Sequence, residues 1–298
     1  MASIASVKAT INGTEYTLNY NSATGAYEAS ITAPTTTSWN MEDHVYPISV
    51  IAVDTAGNSA AIDATDSTYG DALKLRVKET VKPVVAFTSP TGGAGLANAA
   101  PAITVKLTDS GAGVDLSTFW MKVDGGTKIT ADKCTKSAIT NGYQLTYRPD
   151  GLTDGSHTVT AAVSDYDGNT SATASVTFTV DTVPPTLTVT APENNTYTNE
   201  KACVVSGVTN DITSSPVTLK VNGETVTVGS DGAFSKTITL EEGVNTITVV
   251  ATDGVGKVTT VTRTVTLDTG VPEFTEVTVT PNPVNCGATY TISVKVTS

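Results

Sequence analysis

The chain has 298 residues, of which 15% are charged, and its formal net charge is −12. An acidic balance of this size disfavours binding to a nucleic-acid backbone or to an anionic membrane surface. No apolar run approaches the ~18 residues of a membrane span, and no basic and apolar leader follows Met1, so the sequence as written predicts no export signal. The length is typical of two or three domains.

A strand that runs into a tight turn occurs three times along the chain. In each copy an aspartate ends the strand and a glycine follows three residues later. The aspartates are Asp54, Asp165 and Asp253, at intervals of 111 and 88 residues. Because these intervals match the size of a small all-β domain, the sequence predicts an array of three domain equivalents.

Repeat 1 (residues 1–80) begins with an alternating strand and a hairpin at Asn12-Gly13, a pair that favours positive φ. The same hairpin occurs in a later repeat at Asn222-Gly223. Aligning the two places Val7 on Val217, and residue 1 then falls after the first two strands of the fold. We therefore predict that repeat 1 is a domain of the same kind that lacks its first two strands.

Two long connections in repeat 1, around residues 34–47 and 59–71, carry aromatic side chains. Aromatic rings on loops commonly stack on sugars or on partner proteins. Packing within the domain is the alternative, above all for a tyrosine that directly precedes Pro47 at a strand start. The candidate partner-binding residues are Trp39, His44, Tyr46 and Tyr69.

Repeat 2 (residues 81–182) shows alternation at Ile103, Val105 and Leu107, followed by a glycine-containing loop at 109–113. Residues 127–142 are irregular and predict strands less clearly. Trp120 lies beside Met121 on a strand, where we expect it in the core or at a contact between domains.

Repeat 3 (residues 183–270) opens after Asp181-Thr182 with a proline-containing linker, which is typical of the junction between β modules. Seven short alternating strands follow, separated by turn signals such as Asn222-Gly223, and no helical period is present. This pattern predicts an immunoglobulin-like sandwich.

The tail (residues 271–298) holds two further alternating strands on either side of Pro281, which match the first two strands of repeat 3. We expect the tail of one protomer to complete repeat 1 of another, or of the same, protomer, which would give head-to-tail assembly. The predicted assembly residues are Val277, Val279, Tyr290, Ile292, Val294 and Val296.

Three features resemble the bacterial Ig-like repeats of cell-surface proteins and of phage tail and other virion proteins. They are the Ala-x-Asp-x-x-Gly-Asn strand end, the Asp-Thr-x-x-Pro linkers at 181–185 and 268–272, and the Asn-Gly hairpins. The resemblance implies an all-β fold of tandem immunoglobulin-like sandwiches, with the first domain divided between the two ends of the chain. Such modules serve as spacers, adhesins and enzyme appendages, so the resemblance specifies fold better than function.

The three turn aspartates suggest two roles. Linker acids such as Glu79, Asp181 and Asp268 could approach them to bind calcium, or each aspartate could accept backbone hydrogen bonds in its own turn. Because no acidic cluster with regular ligand spacing is visible, we favour the turn role and expect neither a metal nor another cofactor, and no dependence of folding on metal.

Catalytic signals are absent from the pattern. His44 and His157 are the only histidines, and no Ser/His/Asp or Cys/His set recurs, so we expect no enzymatic activity. Cys134, Cys203 and Cys286 lie in different repeats, so none forms a disulfide within its repeat, and we expect buried or half-buried thiols.

These observations favour a non-enzymatic structural virion protein of a phage tail or surface appendage, assembled in the host cytoplasm. The absent export signal and the unpaired cysteines favour that setting. The expected partners are other copies of the chain, other virion proteins or cell-surface polysaccharide, and neither nucleic acid nor membrane. The alternatives are a fragment of a secreted adhesin or polysaccharide-binding protein at the bacterial surface, and an accessory region of a glycoside-active enzyme.

Overall fold

The computed structural model describes residues 3–298, which form 24 β-strands and four short 3-10 helices. Two compact units are present: one comprises the chain up to Ala94 with Ala100–Leu152 and Ser156–Phe178, and the other comprises Gly95–Ala99, Thr153–Gly155 and Thr179–Ser298. Each sheet takes its strands from a single one of the predicted segments 1–80, 81–182, 183–270 and 271–298. No helix in residues 3–298 is long and apolar enough to cross a membrane.

Repeat 1 forms one sheet. Its strands are β1 (Ile4–Ile11), β2 (Thr14–Asn21), β3 (Ala26–Glu28), β4 (Tyr46–Asp54), β5 (Ser59–Ile62) and β6 (Lys74–Leu75). The order is β3-β2-β1-β4-β5, with β6 paired to β4. As predicted, Asn12 and Gly13 both have positive φ, 48° and 76°, in the turn between β1 and β2. The connections contain 3-10 helices at Ser38–Asn40, Glu42–His44 and Gly70–Leu73.

Repeat 2 is a two-layer sandwich. Its strands are β7 (Val84–Ser89), β8 (Gly95–Leu96), β9 (Ile103–Thr108), β10 (Val114–Val123), β11 (Thr135–Ile139), β12 (Gly142–Tyr147), β13 (Gly155–Asp165) and β14 (Ala174–Val180). One sheet has the order β10-β13-β14-β8 and the other β11-β12-β9-β7. The irregular stretch 127–142 contains a 3-10 helix at Ala131–Lys133 as well as β11.

The alternation of β10 places Trp120 outside the core, which was one of the two positions expected for it. Phe119 and Met121 are each 1% exposed and fill the core, so Trp120, between them, points to the other face of the sheet. There it is half-buried, with the Lys128 ammonium 5.6 Å from its ring centroid. Trp120 is therefore a partly covered outer residue.

Repeat 3 is also a two-layer sandwich. Its strands are β15 (Thr186–Ala191), β16 (Thr196–Thr198), β17 (Ala202–Asn210), β18 (Thr218–Val221), β19 (Glu224–Val226), β20 (Ala233–Thr239), β21 (Gly243–Thr252) and β22 (Val258–Leu267). The sheets have the orders β15-β17-β20 and β16-β22-β21-β18-β19. Seven of these strands match the predicted ones, and β16 is an additional short strand parallel to β22.

Comparison of repeats 1 and 3 shows what the second sheet contributes. In repeat 3 the inward residues Val249 and Ala251 of β21 are 0% exposed, because β15, β17 and β20 lie over them. The equivalent residues of β4, Val50 and Ala52, are only half-buried. Within residues 3–80 no second sheet covers this face.

The tail forms an isolated hairpin of β23 (Glu273–Thr280) and β24 (Thr291–Thr297). Ten residues separate the two strands. The same number separates β15 from β17, where the segment includes β16. The pairing differs, because Thr280 pairs with Thr291 next to the loop, whereas Ala191 pairs with Ser206. Every residue of the hairpin is exposed.

The Asn222-Gly223 turn generates a stability prediction. Gly223 has φ +85°, and a Cβ at this position would meet no atom within 4 Å. A side chain here is therefore unfavourable because of the positive φ and not because of crowding by neighbouring atoms. We expect Gly223→Val to destabilise repeat 3 by about 1 kcal/mol or more. The check is urea unfolding of residues 183–270, with Thr225→Val on the same hairpin as the control, and equal midpoints for both variants would contradict the turn assignment.

Candidate functional site

The three turn aspartates adopt the predicted turn role. Oδ1 of Asp54 accepts the Ala56 and Asn58 N–H groups at 2.9 and 2.8 Å. Oδ1 of Asp253 accepts those of Val255 and Lys257 at 2.9 and 2.8 Å. The matching glycines have positive φ of 87° to 92°. In two of the three turns, moreover, one oxygen of the turn aspartate lies within 4.8 Å of oxygens from two other acids.

The first acidic cluster, termed the repeat 2 cluster, consists of Glu79, Asp109 and Asp165. One carboxylate oxygen from each lies within 4.8 Å of the others. Glu79 belongs to the linker before β7, Asp109 directly follows β9, and Asp165 ends β13. The sandwich brings the ends of β9 and β13 to the same edge, where the linker enters.

Local hydrogen bonds fix the linker and the loop at this edge. The Glu79 N–H donates to Asp167 Oδ2 at 3.0 Å, and the Lys78 ammonium donates to the Asp167 carbonyl at 3.1 Å. Gly111 allows the Glu79 carboxyl to approach, because a Cβ on Gly111 would lie 2.8 Å from Glu79 Cδ. The linker acid is therefore held against the turns of repeat 2.

The carboxylates of the repeat 2 cluster are unequally compensated. The Asn169 side-chain amide donates to Asp165 Oδ2 at 2.7 Å and to Glu79 Oε1 at 3.3 Å. Asp109 is 7% exposed; its Oδ1 accepts the Gly111 and Gly113 N–H groups, whereas its buried Oδ2 has no hydrogen-bond partner. Burial raises the pKa of Glu79, and the carboxyls of Asp165 and Asp109 raise it further, against a lowering by the Val81 N–H. No ion pair within residues 3–298 involves these three acids.

The second cluster, termed the repeat 3 cluster, repeats this arrangement with Asp181, Asp211 and Asp253, again within 4.8 Å. Asp181 lies in the linker before β15, Asp211 directly follows β17, and Asp253 follows β21. All three are at most 7% exposed, and Oδ2 of Asp253 is buried without a hydrogen-bond partner. The Ser214 hydroxyl donates to Asp181 Oδ2.

The sequence shows no acidic cluster with regular ligand spacing, and the structure brings these acids together from separate segments of the chain. The linker acids Glu79 and Asp181 and the turn acids Asp165 and Asp253 were considered together, but Asp109 and Asp211 were missed. The sequence does mark these two residues, because each lies 30 residues after its linker acid. Each also directly follows a strand, β9 or β17. Asp54 and Asp268 are not members of such a group among the described residues.

The aromatic candidates of repeat 1 fall into two groups. The Trp39 ring is stacked between His44, at 3.9 Å between centroids, and Tyr166 of repeat 2, at 4.2 Å. Both ring faces are thereby occupied, which leaves none for a sugar. Tyr46 is 1% exposed and shares a 2.5 Å hydrogen bond with the Thr36 hydroxyl, whereas Tyr69 is 58% exposed. These contacts favour a packing role for Trp39, His44 and Tyr46, whereas the Tyr69 ring is accessible.

The remaining histidine and the cysteines have structural surroundings. His157 is 5% exposed, with Nδ1 2.7 Å from Asp124 Oδ2. Cys134 and Cys203 are buried as expected, and burial raises the pKa of both thiols. Cys286 is exposed, which corrects the expectation for this residue, because the loop that carries it belongs to the uncovered tail hairpin.

Comparisons with known proteins agree with this architecture. The sequence profile of a bacterial Ig-like domain matches residues 90–182, and that of domain B of glucodextranase matches residues 185–269. A stretch of 109 residues is 39% identical to bacillopeptidase F of Bacillus subtilis (strain 168) and covers 37% of this chain and 7% of that protein.

Two solved structures are similar at low identity. Three Ig domains of titin match with a TM-score of 0.43 and 12% identity, covering 90% of this chain and 94% of that one. Fibronectin(III)-like modules of CbhA from Clostridium thermocellum match with a TM-score of 0.36 and 22% identity, covering 62% and 94%.

The chain is an all-β array of tandem Ig-like domains, in which residues 90–182 match a bacterial Ig-like domain and residues 185–269 match domain B of glucodextranase. Ig-like domains of this kind are typically non-catalytic and act as structural or surface-binding modules. Function therefore has to be argued from the surfaces and clusters of this chain.

The Trp39 stack generates a second prediction. Each stacked aromatic pair contributes about 0.5–1.5 kcal/mol beyond its buried area, so Trp39→Ala should destabilise repeats 1 and 2 by roughly 1–3 kcal/mol. The measurement is differential scanning calorimetry of the full chain. Tyr69→Ala, which removes an exposed ring, is the control, and an unchanged melting temperature for Trp39→Ala would contradict the packing role.

Proposed function

We propose that the chain is a non-enzymatic structural array that assembles head to tail, with the tail hairpin of one copy completing repeat 1 of the next. The observation that carries this proposal is an exposed apolar face on the tail hairpin together with an incompletely covered apolar face on the sheet of repeat 1. On that sheet Ala9 and Ile11 of β1 are 5% and 8% exposed, whereas Ile48 and Val50 of β4 are only half-buried.

The tail hairpin has one apolar face and one polar face. Directly opposite residues of an antiparallel pair lie on the same side, and here Val277 pairs with Val294 and Val279 with Ile292. The intervening pair, Thr278 with Ser293, lies on the other side. The apolar face consists of Phe274, Val277, Val279, Ile292, Val294 and Val296, which are 40–74% exposed. Tyr290, also predicted for assembly, lies in the loop before β24.

The sheet of repeat 1 offers a matching surface. Ile11 of β1 pairs with Ile48 of β4, and Ala9 pairs with Val50, so these side chains form one apolar face. At the Ile11 end, the segment 29–36 only partly covers this face and leaves a groove of about 510 Å³ that Tyr16 also lines. In repeat 3 the corresponding face is fully covered by a second sheet.

A second copy of the chain is the occupant that the two surfaces favour. Each copy carries one donor hairpin and one acceptor sheet, and an isolated two-stranded hairpin is marginal in water without a covering surface. Contact between the two different surfaces is heterologous, so it produces a ring or an open fibre. Main-chain pairing and apolar burial would both contribute, as in other strand-addition complexes.

Two settings suit such an array, a virion appendage and the bacterial cell surface. The identity to a stretch of bacillopeptidase F, a bacterial protein, favours the bacterial surface or an extracellular location. A surface-binding role, with polysaccharide or another virion protein as partner, is the second candidate. Among the predicted residues Tyr69 and His44 are exposed, and only the Tyr69 ring is free of the Trp39 stack.

The assembly prediction is tested by light scattering after size-exclusion chromatography at several concentrations. We expect the full chain to form oligomers whose mass rises with concentration. A chain that ends at Gly270 should be monomeric, because the donor face is removed. Moving residues 271–298 to the front of the chain should also give monomers, because the hairpin then closes within its own repeat 1.

Face-specific variants provide the matched control. Val277→Asp with Val294→Asp places charges on the apolar face and should abolish the oligomers. Thr278→Asp with Ser293→Asp introduces the same cross-strand repulsion on the polar face and should leave them intact. A monomeric full chain, or equal loss with both double variants, would contradict the exchange of strands.

A further inference from the structure

We propose that the repeat 2 cluster and the repeat 3 cluster each bind one calcium ion, which fastens a linker acid to the sandwich that follows it. This inference concerns the junctions of the array and is independent of the assembly of tails.

Oδ2 of Asp109 and Oδ2 of Asp253 are buried and lack a hydrogen-bond partner. A buried carboxylate oxygen that is neither paired nor hydrogen-bonded is strongly unfavourable, and buried charges are normally paired or coordinate metals. The Oδ1 atoms of both residues are already used in turns, so the second oxygens remain for a cation. The same orphaned atom type therefore occurs in both clusters.

The spacing and chemistry of the donors suit calcium. Two oxygens on opposite sides of a calcium ion, each about 2.4 Å from it, are about 4.8 Å apart. The donor oxygens of each cluster lie within 4.8 Å of one another. All the side-chain donors are carboxylates, which favour hard cations over zinc. Backbone carbonyls and water would complete the six to eight ligands that calcium takes.

Repeats 2 and 3 carry acids at the same three structural positions. In each cluster one acid comes from the linker and one directly follows β9 or β17. The third is the aspartate of the Asp-x-x-Gly turn. Two sandwiches of different sequence therefore place three carboxylates within 4.8 Å of one another at the same edge. A purely local turn needs only the last of the three, as Asp54 shows in repeat 1.

Calcium bound here would act on stability and on the linkers. Three carboxylates close together repel one another, and a divalent cation replaces that repulsion with attraction. Because the site exists only in the folded chain, binding raises the melting temperature. It would also hold Glu79 against repeat 2 and Asp181 against repeat 3.

The experiment is isothermal titration of the chelator-treated full chain with calcium chloride, together with calorimetric melting. We expect two calcium ions per chain and a rise of several degrees in melting temperature. Asp109→Asn and Asp253→Asn should each leave one ion bound, because an asparagine retains Oδ1 for the turn but presents an amide nitrogen to the site. If either fails to fold, Glu79→Gln and Asp211→Asn replace them.

Asp54→Asn is the matched control, since it alters the same turn outside any cluster, and it should still bind two ions. The proposal is overturned if the wild-type chain binds no calcium, if the cluster variants retain both ions, or if Asp54→Asn loses one. Equal binding of magnesium chloride in a parallel titration would overturn the assignment to calcium.

Discussion

A β-sheet with one apolar face is stable in water only when another layer covers that face, and each part of this chain depends on how the requirement is met. Repeats 2 and 3 meet it internally. In repeat 3 the inner residues of β21 are fully buried beneath the sheet of β15, β17 and β20. The tail hairpin presents an exposed apolar face, and the sheet of repeat 1 is covered only in part and by no second sheet, so the proposed assembly would complete both.

A second constraint acts at the strand ends, where charged groups are buried rather than apolar ones. Burial of Asp181 and Asp253 is costly unless their charge is compensated. Backbone N–H groups of the turns compensate one oxygen of each turn aspartate, and in repeats 2 and 3 the turn aspartate also lies within 4.8 Å of a linker acid. The two constraints act on different surfaces, so the junctions can bind a cation whether or not the tails are exchanged.

Alternation and turn chemistry made the sandwiches predictable from the sequence. Inward residues such as Ile103, Val105 and Leu107 are buried as expected, because side chains on a strand alternate strictly between its faces. The strands β8 and β16 were missed, since two or three residues are too few to show alternation. Trp120 lies outside the core because its neighbours Phe119 and Met121 occupy the inward positions.

The candidate sites were less predictable, because their residues meet only after folding. The Trp39 stack depends on Tyr166, which lies 127 residues further along the chain. Asp109 and Asp211 carry no motif of their own, and only their common distance from the linker acids marks them. Tertiary packing, rather than local sequence, therefore decides which acids and which rings come together.

Hydrogen exchange of the backbone amides in β23 and β24 tests the central claim most directly, because it reports whether repeat 1 of another copy covers the tail hairpin. The account predicts that these amides are protected at high protein concentration and become exposed together on dilution, while those of β21 stay protected throughout. Rapid exchange of the hairpin at every concentration would contradict it.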